Sequence, residues 1–454
     1  MFKRILIANR GEIALRIVRC CREMGIETVA VYSTADEQSL PVMLATHRVC
    51  IGPEKAAESY LNQDVILETA RKMDCDAIHP GYGFLSENAG FARACEENGI
   101  TFIGPSAKVI QGMGDKQTAR TLMLKSGVPV VPGSKGMLGS LEEAGKEAEK
   151  IGYPVLIKAT AGGGGKGMRK VFKEEELEKA FFTAKTEAQA AFGNGEVYLE
   201  KLILNPRHIE FQILADNYGN IVHLGERDCS IQKNNQKLLE ETPSWVLDDE
   251  LRNKMGAEAV RAAKAAGYTN AGTVEFVLDE QRNFYFIEMN TRIQVEHPIT
   301  ELITGVDLIK EQIRIAAGLR MDLTQEKIRF SGHAMECRIN AQNPGRINFI
   351  HFPAGRGVRV DSHLYNGCEV SPHYDSMVAK IIVEGKTRLE TIRRMRRALE
   401  ELMIEGVETN TDFMHLLTFH PEFIRGRYDT SFWEKYSDTI FRWNEEGKTS
   451  DDDT

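Results

Sequence analysis

The first hundred residues alternate short apolar runs with stretches of helical periodicity, and this alternation constrains the fold more than any other feature. RILIAN reads as a buried-type strand and TVAVYS as a second. Between them GEIALRIVRCCREMG carries apolar residues at helical spacing up to a glycine stop. VILETARKMDCDAIHPG and GFARACEENGITFIGP each repeat a helix and a strand. Such a series closes most readily as a parallel, doubly wound sheet. A dinucleotide site would show GxGxxG at the first turn, whereas NRGEIA has one glycine, so a NAD-dependent oxidoreductase is the weakest reading.

A chain of 454 residues can hold two to four domains, each with its own core. A net charge of −9 argues against general nucleic-acid binding, which would want a basic face. The opening MFKRILIANRGEIA has too short an apolar run for a signal peptide, and no stretch reaches membrane-span length. The eight cysteines show no CxxC pair and no zinc spacing, which points to reduced thiols in a cytoplasmic protein. The end, EEGKTSDDDT, reads as a disordered acidic tail over 445–454.

Downstream the pattern changes. Residues 115–150 are mostly helical, with a Pro/Gly-rich break, VPVVPGSKGMLG, that opens a small inserted lid over about 132–203. Residues 208–225 and 271–290 read as antiparallel strands, 305–318 as a helix, and 332–385 as strand and turn. The helix RLETIRRMRRALEELM has an apolar stripe of Leu389, Ile392, Met395 and Leu402, with its arginines on a solvated face. In LIKATAGGGGKGMRKVF the lysine after the glycines is followed by Gly, not Ser or Thr, so this is not a P-loop. The strand-like MRKVF behind it makes the run a hairpin flap, whose bare backbone N–H groups can close over phosphates between Lys158 and Lys166.

GTVEFVLDEQRNFYFIEMN reads as two strands around a turn at Asp279–Asn283. Centred between Gln281 and Arg282, the hairpin sets Glu275 opposite Glu288, with Asn290 on the same face. Opposed like charges are unfavourable, and a divalent cation reverses that sign; three oxygen donors suit magnesium. Beyond them Arg292 offers a rigid fork for an anion and Glu296 a candidate general base, though alone the two could be a plain salt bridge.

The flap with its preceding lysine and the Glu…Glu-x-Asn hairpin resemble the ATP-grasp superfamily. Within it the chain resembles the biotin carboxylase family over about residues 1–445. The strings carrying the match include KRILIANRGEIA, AIHPGYGFLSEN, KATAGGGGKGM, NPRHIEFQ, ERDCSIQ, FIEMNTRIQVEHPITE, GHAMECRINA and YDSM. The resemblance implies a Rossmann-like N-terminal domain (1–114), an ATP-grasp domain (115–318) with its lid, and a C-terminal α+β domain (330–440). It implies ATP-dependent carboxylation of biotin with bicarbonate, through carboxyphosphate, needing Mg2+ or Mn2+. ATP would be bound by Lys116, Lys158, Gly162, Gly163, Gly164, Gly165, Lys166, Glu200, Lys201, Ile203, His208, Gln232 and Asn235. Glu275, Glu288 and Asn290 would hold the metal. Lys237, Arg292, Gln294 and Val295 would hold bicarbonate, with Glu296 as base; Arg338 and Tyr82 would face biotin. Biotin would arrive on a separate carrier protein. A carboxyltransferase would be a further partner and a homodimer the assembly; neither nucleic acid nor membrane is implied.

The chain departs from the family pattern twice: Asn235 stands where many members have His, and the loop after Arg338, INAQNPGRINFIHFPAG, is several residues short. Two other readings are a different ATP-grasp ligase, opposed by RIQVEHP with GHAMECRIN, and a silent nucleotide-binding subunit, favoured only by the short loop.

Overall fold

The computed structural model describes residues 1–134, 136–160 and 167–451. The flap residues Gly162, Gly163, Gly164, Gly165 and Lys166 lie outside the described residues, as do the last three. The N-terminal strands are β1 (Arg4–Ile7), β2 (Glu27–Ser33), β3 (His47–Gly52), β4 (Ala77–His79) and β5 (Thr101–Phe102). They form a parallel sheet in the order β3-β2-β1-β4-β5. The inner strands β1, β2 and β4 are mostly buried apolar runs, as a parallel sheet covered on both faces requires, while the edge strand β3 alternates with exposed residues.

A small three-stranded sheet follows, of β6 (Val155–Ala159), β7 (Met168–Val171) and β8 (Val197–Lys201). β6 and β7 pair antiparallel, Lys158 opposite Met168, so they are the two arms leading to the glycine run. Residues 132–134 and Leu138 run along β8: Ser134 N donates to the Leu199 carbonyl at 2.7 Å, Lys201 N to the Pro132 carbonyl at 2.7 Å and Leu138 N to the Val197 carbonyl at 2.8 Å. At this crossing Gly133 has no room for a side chain, since a Cβ there would meet the Leu199 carbonyl oxygen at 2.5 Å.

The main sheet has eight strands. In chain order they are β9 (Arg207–Ala215), β10 (Ile221–Lys233), β11 (Gln236–Thr242), β12 (Asn270–Leu278), β13 (Phe284–Asn290), β14 (His333–Asn340), β17 (Val358–Ser362) and β19 (Met377–Gly385). The short strands β15 (Gly345–Arg346), β16 (Phe349–His351) and β18 (Glu369–Val370) lie outside it. The spatial order of the eight is β13-β12-β9-β10-β11-β14-β19-β17. β11 pairs with β14, so one sheet runs from the segment expected as the ATP-grasp domain into that expected as the C-terminal domain.

The β12–β13 hairpin brings Glu275 opposite Glu288 by a different route from the one expected. Leu278 pairs with Phe284, which closes a five-residue turn centred on Gln281. That centre alone would shift the ladder, but Ile287 is left out as a β-bulge, and the pairing beyond it resumes at Glu275–Glu288.

Four expectations need correction. A helix, His297–Thr304, stands where no element was expected, ahead of a second helix, Leu308–Ala316. In the helix Arg388–Glu401 the buried face runs through Ile392, Met395 and Leu399, and Leu389 is exposed because it falls outside that stripe. Arg388 is not solvated; it is buried, with Nε donating to Glu241 at 2.7 Å. Where 445–454 was read as a tail, the backbone of the last helix, Phe432–Asp451, extends through most of it. No described helix is long and apolar enough to cross a membrane.

Candidate active site

One cavity of about 1530 Å³ opens between the N-terminal sheet, the small sheet and the main sheet. Every described residue expected in the site lines it: Tyr82, Lys116, Lys158, Glu200, Lys201, Ile203, His208, Gln232, Asn235, Lys237, Glu275, Glu288, Asn290, Arg292, Gln294, Val295, Glu296 and Arg338. Cys229 lies behind them, fully buried, and burial pushes its thiol far up, as in a core residue.

Strand register makes the floor. Glu210 on β9 pairs with Glu275 on β12, and Glu275 with Glu288 on β13, so three carboxylates lie in a row across three strands. Burial, then the charge of Glu275, pushes the Glu288 carboxyl up. Glu275 itself is held well below the usual range: burial opposes its ionisation, but Lys237 and His208 outweigh it. Asn290 Nδ2 donates to Glu275 at 2.8 Å, which brings the third expected oxygen donor onto the same face. A row of hard oxygen donors, one of them destabilised by its neighbour's charge, fits magnesium.

Glu210 was missed. The alternation in HIEFQ places it on the face of His208, but nothing local marks it as different from an exposed strand carboxylate. It is wholly buried, accepts from Arg227 Nε at 2.6 Å and from Lys237 Nζ at 2.6 Å. Arg227, also wholly buried, donates onward to Gln294 at 2.6 Å and so fixes that side chain. His208 meets Glu275 at 2.9 Å, and Gln232 Nε2 sits 2.7 Å from its other ring nitrogen.

Lys237 lies among three carboxylates: Glu210 at 2.6 Å, Glu296 at 2.7 Å and Glu275 at 3.1 Å. Glu296 occupies the N-cap position of the helix His297–Thr304, where Pro298 sets the first turn. Its other oxygen is 3.0 Å from Arg338. Burial works against ionisation of Glu296, yet Lys237, Arg338 and Arg227 together hold its carboxyl well below the usual range. A buried carboxylate clasped by two cavity-facing cations can release one of them to an incoming anion and then accept a proton.

Arg292 is fixed from a distance in sequence. Its Nε donates to Glu87 at 2.9 Å and its Nη2 to Asn290 Oδ1 at 3.1 Å. Glu87 was also missed, because the contact spans two hundred residues and an isolated glutamate carries no signal. Arg338 Nε donates to Glu240 Oε1 at 2.6 Å. At the far end Lys158 pairs with Glu200 at 2.5 Å and Arg120 with the same carboxylate at 3.3 Å. Lys201 is turned aside, donating to the Gly152 and Tyr153 carbonyls at 2.9 Å each.

Comparison with known proteins agrees with this layout. Residues 1–110 match the biotin carboxylase N-terminal domain and 336–435 the biotin carboxylase C-terminal domain. Between them, 115–324 match the ATP-binding domain of the carbamoyl-phosphate synthase L chain. The chain is 57% identical over 445 residues to biotin carboxylase 1 of Bacillus subtilis, covering 96% of this chain and 99% of that one. Among solved structures it resembles the biotin carboxylase domain dimer of the Hydrogenobacter thermophilus 2-oxoglutarate carboxylase, in complex with MgADP, ADP and bicarbonate. There the TM-score is 0.92 at 50% identity, covering 97% of this chain and 99% of that one. It also resembles the crystal structure of the biotin carboxylase subunit of pyruvate carboxylase. That TM-score is 0.85, again at 50% identity and with 97% and 99% of the two chains covered.

Proposed function

Because the chain belongs to the biotin carboxylase family, we propose that it carboxylates biotin at the expense of ATP, with bicarbonate as carbon source, and that the residues named above do the work. The observation that carries the assignment of roles is the clasp of Glu296 between Lys237 and Arg338, at one end of the carboxylate row.

Glu275, Glu288 and Asn290 would hold the magnesium of MgATP. That ion, when bound, supplies positive charge to the phosphate oxygens. Lys116 and Lys158 would add charge along the nucleotide, Glu200, Lys201 and Ile203 would border the base, and His208, Gln232 and Asn235 would also bind the nucleotide. Asn235 can donate a hydrogen bond where many relatives place His. Lys237, Arg292, Gln294 and the Val295 backbone would take the bicarbonate. Its arrival competes with Glu296 for Lys237, and Glu296, no longer fully clasped, takes the bicarbonate proton. A bicarbonate oxygen then attacks the γ-phosphorus, the bond to the bridging oxygen breaks, and ADP leaves with carboxyphosphate formed. Carboxyphosphate splits to CO2 and phosphate, the released phosphate takes the N1 proton of biotin, and N1 adds to CO2. Arg338 would meet the charge that develops on the biotin ureido oxygen, where a fixed cation in a dry site counts most.

The pyruvate carboxylase component and the dimer among the solved structures support a role within a larger complex. We place biotin on a separate carrier protein and the second half-reaction on a carboxyltransferase partner in an acyl-CoA carboxylase, with two copies of this chain as the working unit and the cytoplasm as its compartment.

The test is ADP release with MgATP, bicarbonate and free biotin. Biotin-stimulated release is expected, lost by at least about 100-fold in Glu296→Gln and in Arg338→Ala. ATP binding without any stimulation by biotin or carrier would instead favour a silent nucleotide-binding subunit.

A further inference from the structure

Lys380, on β19, is a lysine that the proposed mechanism does not use, and its side chain is wholly buried. Its Nζ donates to the Val295 carbonyl at 2.8 Å and lies 3.0 Å from Glu12 Oε1. Glu12, itself buried, also accepts the phenol hydrogen of Tyr82. Asn9 Nδ2 fixes the Tyr82 carbonyl at 2.7 Å. One ammonium group therefore touches the backbone of a residue on the bicarbonate side of the cavity. Through a single carboxylate it also reaches the aromatic residue on the biotin side. The two ends come from segments far apart in the chain, the helix Gly11–Glu23 and the turn before His297.

The remaining surroundings leave Lys380 few other partners. Asp361 is 3.8 Å away and is already gripped by Arg359 at 2.7 Å. Glu336, two positions before Arg338 on the neighbouring strand, is buried with neither carboxyl oxygen hydrogen-bonded. If Lys380 served only to join segments, apolar side chains of similar volume would do so at no loss, because burying an ion pair seldom adds net stability. What the pair adds is directional: it fixes a carbonyl and a phenol relative to one nitrogen.

We propose that Lys380 is a positioning residue that sets the Val295 side of the bicarbonate subsite and the Tyr82 edge of the biotin subsite against each other. The proposal rests on the function proposed above. Misplacing two reacting groups by a fraction of an ångström to an ångström costs up to about 100-fold in rate.

The experiment measures KM and kcat for ATP, bicarbonate and biotin, with Tm, in the parent and in Lys380→Met, Tyr82→Phe and their double variant. Lys380→Met should raise KM for bicarbonate and for biotin together, on the order of 10-fold or more, and leave KM for ATP within about twofold. Tyr82→Phe should affect biotin alone, and in the Lys380→Met background it should add nothing. Where Lys380→Met does not fold, Glu12→Gln serves instead. It keeps the volume and the lysine, and it should raise KM for biotin without moving KM for ATP. A lowered Tm with unchanged KM values, or fully additive effects in the double variant, overturns the proposal. A parent chain that never shows bicarbonate-dependent ADP release overturns the function itself, before any variant is compared.

Discussion

Glu240 supports Arg338 through Nε, while the same guanidinium reaches Glu296 through Nη2. Burial pushes the Glu240 carboxyl up to about 7 from an ordinary 4.5; Arg338 pulls it down and Glu296 pushes it further up. The folded protein thus binds this proton more tightly than the unfolded chain does. The stabilisation is fully present below about pH 4.5, falls as pH rises, and is lost above about 7. Relative to Glu240→Gln, which has no such proton, the parent should lose about 3 kcal/mol between those limits. Urea titrations at a series of pH values measure this difference, and a gap that stays flat would count against it. The same residue shows what one sequence can and cannot reveal. Arg338 was identified by its motif, but the buried carboxylates around it (Glu210, Glu240 and Glu336) look in sequence like ordinary strand polar residues. Only register and burial distinguish them.

Elements were legible where periodicity was strong and obscure where geometry depends on one residue. The parallel N-terminal sheet followed from its alternation, and the β12–β13 hairpin from its aromatic strands. The Glu275–Glu288 pairing was reached through two offsetting differences, the turn centre and the bulge at Ile287, neither of which leaves a composition signal. The helix His297–Thr304 was missed because it is only eight residues long and follows directly on the polar site residues Arg292, Gln294 and Glu296, which mask the apolar spacing of Ile299 and Ile303. Gly133 makes an element-scale prediction. An added methyl at this crossing must push β8 away from residues 132–134, because the atom it meets is backbone and cannot rotate aside. Gly133→Ala is expected to cost about 1–3 kcal/mol in denaturant unfolding. It should also raise KM for ATP while leaving KM for bicarbonate unchanged, since only the nucleotide end of the cavity borders β8.

For the molecule as a whole, the decisive feature is that β11 and β14 are hydrogen-bonded neighbours. The connection between the regions on either side is the largely exposed segment 317–332, yet the sheet crosses without a break. A protease cut engineered within 319–331 should therefore leave two fragments that co-elute in gel filtration and keep ADP-releasing activity, whereas separation of the fragments would show that the linker itself is needed. The seam has a consequence for dimension as well. Lys237 on β11 and Arg338 on β14 lie just beyond Leu239–Cys337, the last pair of that ladder, so the spacing between the cations that clasp Glu296 is set from the paired stretch of adjacent strands. The sheet acts as a ruler, and the length of the connecting chain is a free variable that can lengthen or shorten without changing the gauge of the site.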